Sequence, residues 1–301
     1  MHYLTVLLIL SINLANASEL EFELSPQSSI SIGGGYDTDE NKNYNMYLDL
    51  EFSNYHHLGF GYFKNESSLD DSSTDNYSLS VATSAYETTS LDANFNYIKL
   101  ADTMASYSFS SGINLNLENW HFLLTPKLNA ITFYLDSDRQ NKFDIYAKGA
   151  KISASYYGFD QYYFSASYFK NDFSEKPIFL RPAVFDSLAS STVTKIRIIT
   201  RISELTSSLE EQHLALHIGR YFNWGNLELS WAYTELFNIA QWLDFSALDQ
   251  LKDSNYVSTY TASSNYIINK QFSIGLSLGW QTTTNDSDGL LFGSTEVSYS
   301  W

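Results

Sequence analysis

Cysteine is absent from all 301 residues, so the chain has neither a disulfide framework nor a thiolate metal site. Proline is scarce, at 4 residues. After the first dozen residues, no apolar run approaches the ~20 residues that a membrane-spanning helix needs. Mean hydropathy is −0.23, the value of a water-soluble chain. Basic side chains are few: 17 Lys and Arg stand against 34 Asp and Glu, a formal net charge of −17. That balance argues against nucleic acid as a partner. No linker, low-complexity tract or internal repeat divides the chain. Aromatic residues, by contrast, reach 16%, with Tyr 23 and Phe 20.

The N-terminus sets an expectation of export. An apolar run from Tyr3 to Ile12 precedes Ala15-Asn16-Ala17. An h-region of that length followed by a small-x-small site reads as a signal peptide over 1–17, cleaved after Ala17. Residues 18–301 then form a single domain.

Apolar residues alternate with polar ones over nearly the whole mature chain. Met46, Leu48, Leu50 and Phe52 alternate with Tyr47, Asp49, Glu51 and Ser53. Leu227, Leu229, Trp231 and Tyr233 repeat the pattern, as do Phe272, Ile274, Leu276, Leu278 and Trp280. Period two means half-buried strands. Tyr36, Tyr44, Tyr77, Tyr97, Tyr168, Tyr233, Trp280 and Trp301 mark the ends of such segments, as aromatic girdles do at the two interfaces of a membrane barrel. Short turns at 56–57, 87–90, 118–119, 223–226 and 269–271 alternate with polar loops at 37–43, 65–76, 136–142 and 283–289. The expected fold is all-β, a transmembrane antiparallel up-and-down barrel of roughly 12 to 16 strands.

The chain closes on "VSYSW", in which Val297, Tyr299 and Trp301 share one parity. This resembles the C-terminal sorting strand of Gram-negative outer-membrane β-barrel proteins. The resemblance implies an outer-membrane location and recognition by the barrel-assembly machinery. It also implies a last strand that pairs with the first, and contact with membrane lipid and lipopolysaccharide. Pro126 inside the long strand "FLLTPKLNAITFY", with the chain length, looks like a solitary autotransporter-type barrel domain.

Candidate chemistry is sparse, and the barrel is not expected to be an enzyme. Glu210, Glu211 and His213 could form an acid/His pair at a rim. His213 and His217 share a face but lie about 13 Å apart at ~3.3 Å per residue, too far to share a metal. His56 and His57 read as a tight-turn dipeptide. Acidic groups (Asp37, Asp39 and Glu40; Asp70, Asp71 and Asp75; Asp136 and Asp138; Asp286 and Asp288) read as solvated loop tips, with divalent cations as the alternative. The stretch 238–253 places Ile239, Trp242, Phe245, Leu248 and Leu251 at near-helical spacing. No cofactor is expected.

In "TVTKIRIITRIS", Lys195, Arg197 and Arg201 share one parity and Ile196, Ile198 and Ile202 the other. Basic side chains facing lipid at the midplane cost ~2–4 kcal/mol each, so these three read as a lumenal ladder. It would either attract anions or pair with carboxylates such as Asp49 and Glu51. The expected function is a passive, porin-like channel for small solutes or ions, or an orphan barrel. A rim enzyme or a surface-binding barrel is the alternative.

Overall fold

The computed structural model describes residues 28–53, 56–67, 73–86, 88–100, 104–134, 142–159, 161–173, 209–236, 255–284 and 286–301. Alternation produces strands, and every described element is one. In chain order they are β1 (Ser29–Asp37), β2 (Lys42–Ser53), β3 (His56–Glu66), β4 (Ser73–Tyr86), β5 (Thr89–Leu100), β6 (Met104–Leu117) and β7 (Trp120–Tyr134). There follow β8 (Lys142–Phe159), β9 (Tyr162–Phe173), β10 (Glu210–Phe222), β11 (Gly225–Leu236), β12 (Asn255–Ile267), β13 (Phe272–Thr283) and β14 (Asp286–Ser300). Each pairs antiparallel with its sequence neighbours, and β14 pairs with β1, so the 14 strands form a closed barrel with no free edge.

The seam is regular. Val297 lies opposite Ile32 and Tyr299 opposite Ile30, and the Trp301 N–H donates to the Ser28 carbonyl at 2.9 Å. Following the registers once round the wall returns to β1 about 14 residues further along. With 14 strands, that stagger tilts each strand roughly 35° and sets a backbone diameter of about 26 Å.

The outer face is the apolar one. Ile32, Met46, Phe60, Leu79, Phe95, Phe109 and Leu128 sit on successive strands of the wall and are all exposed, as are Ile152, Ile218, Leu229 and Leu278. A water-soluble barrel would not show such a continuous belt to solvent. Above it Tyr62, Tyr77, Tyr97 and Tyr107 stand side by side on β3 to β6, with ring centroids 5.1, 6.2 and 4.8 Å apart. Beyond these rings the outer face turns charged, with Lys64 and Glu66 paired at 2.5 Å and Asp75 accepting from the Tyr62 hydroxyl at 2.9 Å. At the other end Trp120, Tyr156, Phe159 and Phe164 form a second aromatic cluster. From the upper rings to the lower the belt spans roughly 22 Å, close to the ~25 Å apolar band of outer-membrane barrels.

The expected connections need several corrections: 65–66 and 73–76 of the expected loop 65–76 belong to β3 and β4, and the expected turns 87–90 and 223–226 end in the first residues of β5 and β11. His56 and His57 open β3, and the turn before them is 54–55. Most of 283–289 is wall, because β14 starts at Asp286 and only 284–285 separates it from β13. Around 283–289 the wall continues above the apolar belt, where polar sequence is compatible with strand. Pro126 is tolerated within β7. Its pairing opposite Ala150 on β8 is kept, while the ladder to β6 skips from Ser110↔Lys127 to Ile113↔Leu124. A missing N–H costs one ladder bond on one side only.

Candidate functional site

With an apolar exterior, chemistry belongs to the inner face. Along β11 to β14 and β1 most inward residues are small and polar, among them Ser230, Thr261, Ser263, Ser277 and Ser294, with Phe292 a large apolar exception packed over Gly279. Gly33 and Gly35 continue that wall on β1. Along the upper halves of β7 to β10 the inward face is instead apolar and buried: Ile131, Phe133, Ile145, Ala147, Phe169 and Ala215.

Inward charge is unevenly placed. Asp49 and Glu51 on β2, Asp92 on β5, Glu228 on β11 and Glu296 on β14 point inward. Lys127 and Lys151, on adjacent β7 and β8, do so too. The carboxylates are held in place. Asp92 accepts from Asn94 and Asn114 at 3.0 and 2.9 Å, and Glu296 accepts from Asn45 at 2.7 Å. Glu51 lies 3.5 Å from the His57 imidazole.

Glu228 is the most elaborated of them. Its Oε1 lies 3.0 Å from His217 Nδ1, and its Oε2 accepts from the Tyr163 hydroxyl at 2.5 Å. Tyr163 reaches across from β9 because the intervening residue on β10 is Gly219, where any Cβ would collide with the Tyr163 ring. The buried Tyr163 ring stacks between two others. Its centroid lies 6.1 Å from that of Tyr157 and 5.0 Å from that of Tyr221. Tyr157 and Tyr221 are 47% and 48% exposed, toward the lumen.

The expected site residues divide accordingly. Val297, Tyr299 and Trp301 lie on the closing strand, with Val297 and Tyr299 in the β14–β1 ladder. The rim pair on "LEEQH" does not form: His213 Nδ1 meets the Thr234 hydroxyl at 2.9 Å, and the carboxylate–imidazole contact belongs to His217 and Glu228. His56 Nδ1 meets the Thr83 hydroxyl at 3.0 Å. Asp37 is a turn cap, its carboxylate accepting from the Asp39 and Asn41 amides at 2.9 and 3.0 Å. No group of three or more candidate ligands that could hold a metal occurs among the described residues. Ala15, Ala17, Asp70, Asp71, Asp136, Asp138 and the stretch 238–253 lie outside the described residues. So do Lys195, Arg197 and Arg201, in the connection between β9 and β10, two strands that pair directly with each other.

The inner constellation had one legible signal. The turn at "NWGN" folds β10 back on β11, which brings His217 opposite Ser230 and Gly219 opposite Glu228. Tyr163 joins from another hairpin, and no local spacing announces it.

No protein-family model matches the chain, and no curated protein matches its sequence. Among solved structures it is similar to the CymD monoaromatic hydrocarbon channel, with 10% identity, 91% of this chain and 88% of that one covered, and a TM-score of 0.49. It is also similar to the KdgM porin, at 9% identity over 91% and 99% of the two chains with a TM-score of 0.43. The outer membrane protein OprD from Pseudomonas aeruginosa gives 8% identity over 91% and 93%, with a TM-score of 0.42. These likenesses are too distant to carry a functional argument. The wall itself, closed, belted with apolar side chains and polar within, is that of an outer-membrane β-barrel.

Proposed function

We propose that the protein is a passive, porin-like channel in the outer membrane of a Gram-negative bacterium, open to small solutes or ions. One observation carries the reading. A barrel of about 26 Å backbone diameter presents small polar side chains over the inner face of β11 to β14 and β1, where a packed interior would present large apolar ones. Five of the fourteen strands thus turn a mainly polar inner face to the lumen. The test is planar-bilayer conductance of the refolded chain. Discrete steps that scale with salt concentration support the channel, and a silent bilayer leaves a barrel without transport.

An enzymatic role is not part of this proposal. The imidazole–carboxylate contact of His217 and Glu228 is capped by the Tyr163 hydroxyl, which holds the carboxylate in a fixed hydrogen-bond network.

Three further parts of the reading are proposals with tests of their own. Residues 1–17 serve as a signal peptide, so the membrane-extracted protein begins at Ser18 in N-terminal sequencing. Val297, Tyr299 and Trp301 serve as the sorting strand for the assembly machinery. Lys195, Arg197 and Arg201 serve as a lumenal ladder that either attracts anions, against the pull of the inward carboxylates, or pairs with carboxylates such as Asp49 and Glu51; the first role predicts a further shift of the reversal potential toward cations when all three become Ser. An unchanged potential removes that ladder from the mechanism. The narrower autotransporter-type resemblance gains nothing from the structure, since Pro126 fits the wall as an outward-facing strand residue.

A further inference from the structure

Asp49, Asp92, Glu228 and Glu296 come from four strands spread around the ring, yet each stands three or four residues from the short-turn end of its strand, at Ser53, Thr89, Gly225 and Ser300. The pairing registers place them within about two residues of one level, roughly 5–6 Å along the axis. They form a collar. The inward lysines do not interrupt it. Lys127 stands seven residues from Trp120 and Lys151 eight from Phe159, so both lie higher. They lie across the lumen from Glu296, since β7 is seven strands from β14 in either direction, but Lys127 is only two strands from Asp92 on β5 and Lys151 three from Glu228 on β11. The lysines are thus set apart from the collar by level, and no ion pair joins them to its carboxylates among the described residues.

A second, independent feature adjoins the collar. Tyr157 and Tyr221 expose about half their surface on the lumenal side, packed on either side of the buried Tyr163, whose hydroxyl is bonded to Glu228. Aromatic faces left in water beside a fixed carboxylate suit one ligand chemistry, a cation whose charge is carried on an organic group. The carboxylate supplies long-range attraction and the ring faces supply contact.

Taking the porin-like channel as given, we propose that the lumen selects cations at this collar, and that Tyr157, Tyr221 and Glu228 form a subsite for a solute bearing an organic ammonium group.

The experiment uses the full refolded chain in a planar bilayer under a KCl gradient. Wild-type protein prefers K⁺ over Cl⁻. The combined Asp92→Asn, Glu228→Gln and Glu296→Gln variant loses that preference, while Glu66→Gln on the outer face keeps it. Benzyltrimethylammonium added to the wild type interrupts the K⁺ current. Tyr157→Ala with Tyr221→Ala abolishes the interruption and leaves the K⁺ preference unchanged. A Cl⁻-preferring wild type, or a collar variant with unaltered selectivity, overturns the collar. Equal interruption in the tyrosine variant overturns the subsite. If the wild type passes no current, the channel reading and the collar's role in selectivity fail. The subsite is then judged by calorimetric titration of benzyltrimethylammonium into detergent-solubilised protein. Binding that disappears in the tyrosine variant sustains it, and no binding to the wild type overturns it.

Discussion

Gly219 shows how one missing side chain sets a whole constellation. It lets the Tyr163 ring lie flat against β10 and reach Glu228 one strand further on. Gly219→Val would force that ring away, break the hydroxyl–carboxylate bond and overfill the inner wall. The expected cost is about 1–3 kcal/mol, read as a lower midpoint in thermal or guanidinium unfolding of the detergent-solubilised barrel. Gly275→Ala is the contrasting control. A Cβ there meets its nearest atom, Glu296 Cβ, at 3.6 Å, ordinary packing, and its midpoint should stay near wild type. Trp301 is a different case. Its backbone N–H holds the seam to Ser28, a bond that survives side-chain replacement. Trp301→Ser should therefore leave refolded protein stable while lowering the amount recovered in outer-membrane fractions. Equal recovery would mean that the side chain carries no sorting information.

The strands carry the alternation that the sequence announced. Leu276, Leu278 and Trp280 face out from β13 while Ser277 and Gly279 face in, as period two required. This part was legible because burial of one face depends only on parity, which a sequence displays directly. Strand ends were less legible. Around Thr283 and Asp286 the wall continues above the apolar belt, where the outer face no longer has to be apolar. The lumenal site was least legible, because Tyr163, His217 and Glu228 meet through inter-strand register. Parity still makes a sharp prediction. Leu278→Arg places a cation on the apolar belt and should cost about 2–4 kcal/mol, seen as poor folding into lipid vesicles. Ser277→Arg, one residue earlier on the same strand, points into the lumen and should fold at near wild-type yield. Equal yields from the two variants would contradict the assignment of faces.

At the scale of the molecule, closure removes every edge, so no strand can peel without breaking two ladders. Unboiled protein in dodecyl sulfate should migrate apart from boiled protein, and co-migration would argue against a closed wall. The seam has a consequence for kinetics. It pairs Ser29 with Ser300 and Asp37 with Phe292, residues from opposite ends of the described chain. Contacts of that range form late, so the free edge of β1 stays open until β14 is in place. The hydrogen bond from Trp301 to Ser28 also brings the two ends of the wall side by side. A circular permutant joined there and opened at the short turn between Asn269 and Lys270 should refold in detergent with the same ladder. Its terminal strand would then be β12, ending at Asn269 without an aromatic residue. Closing the wall and presenting an aromatic terminus, which coincide in the native order, would become separable events.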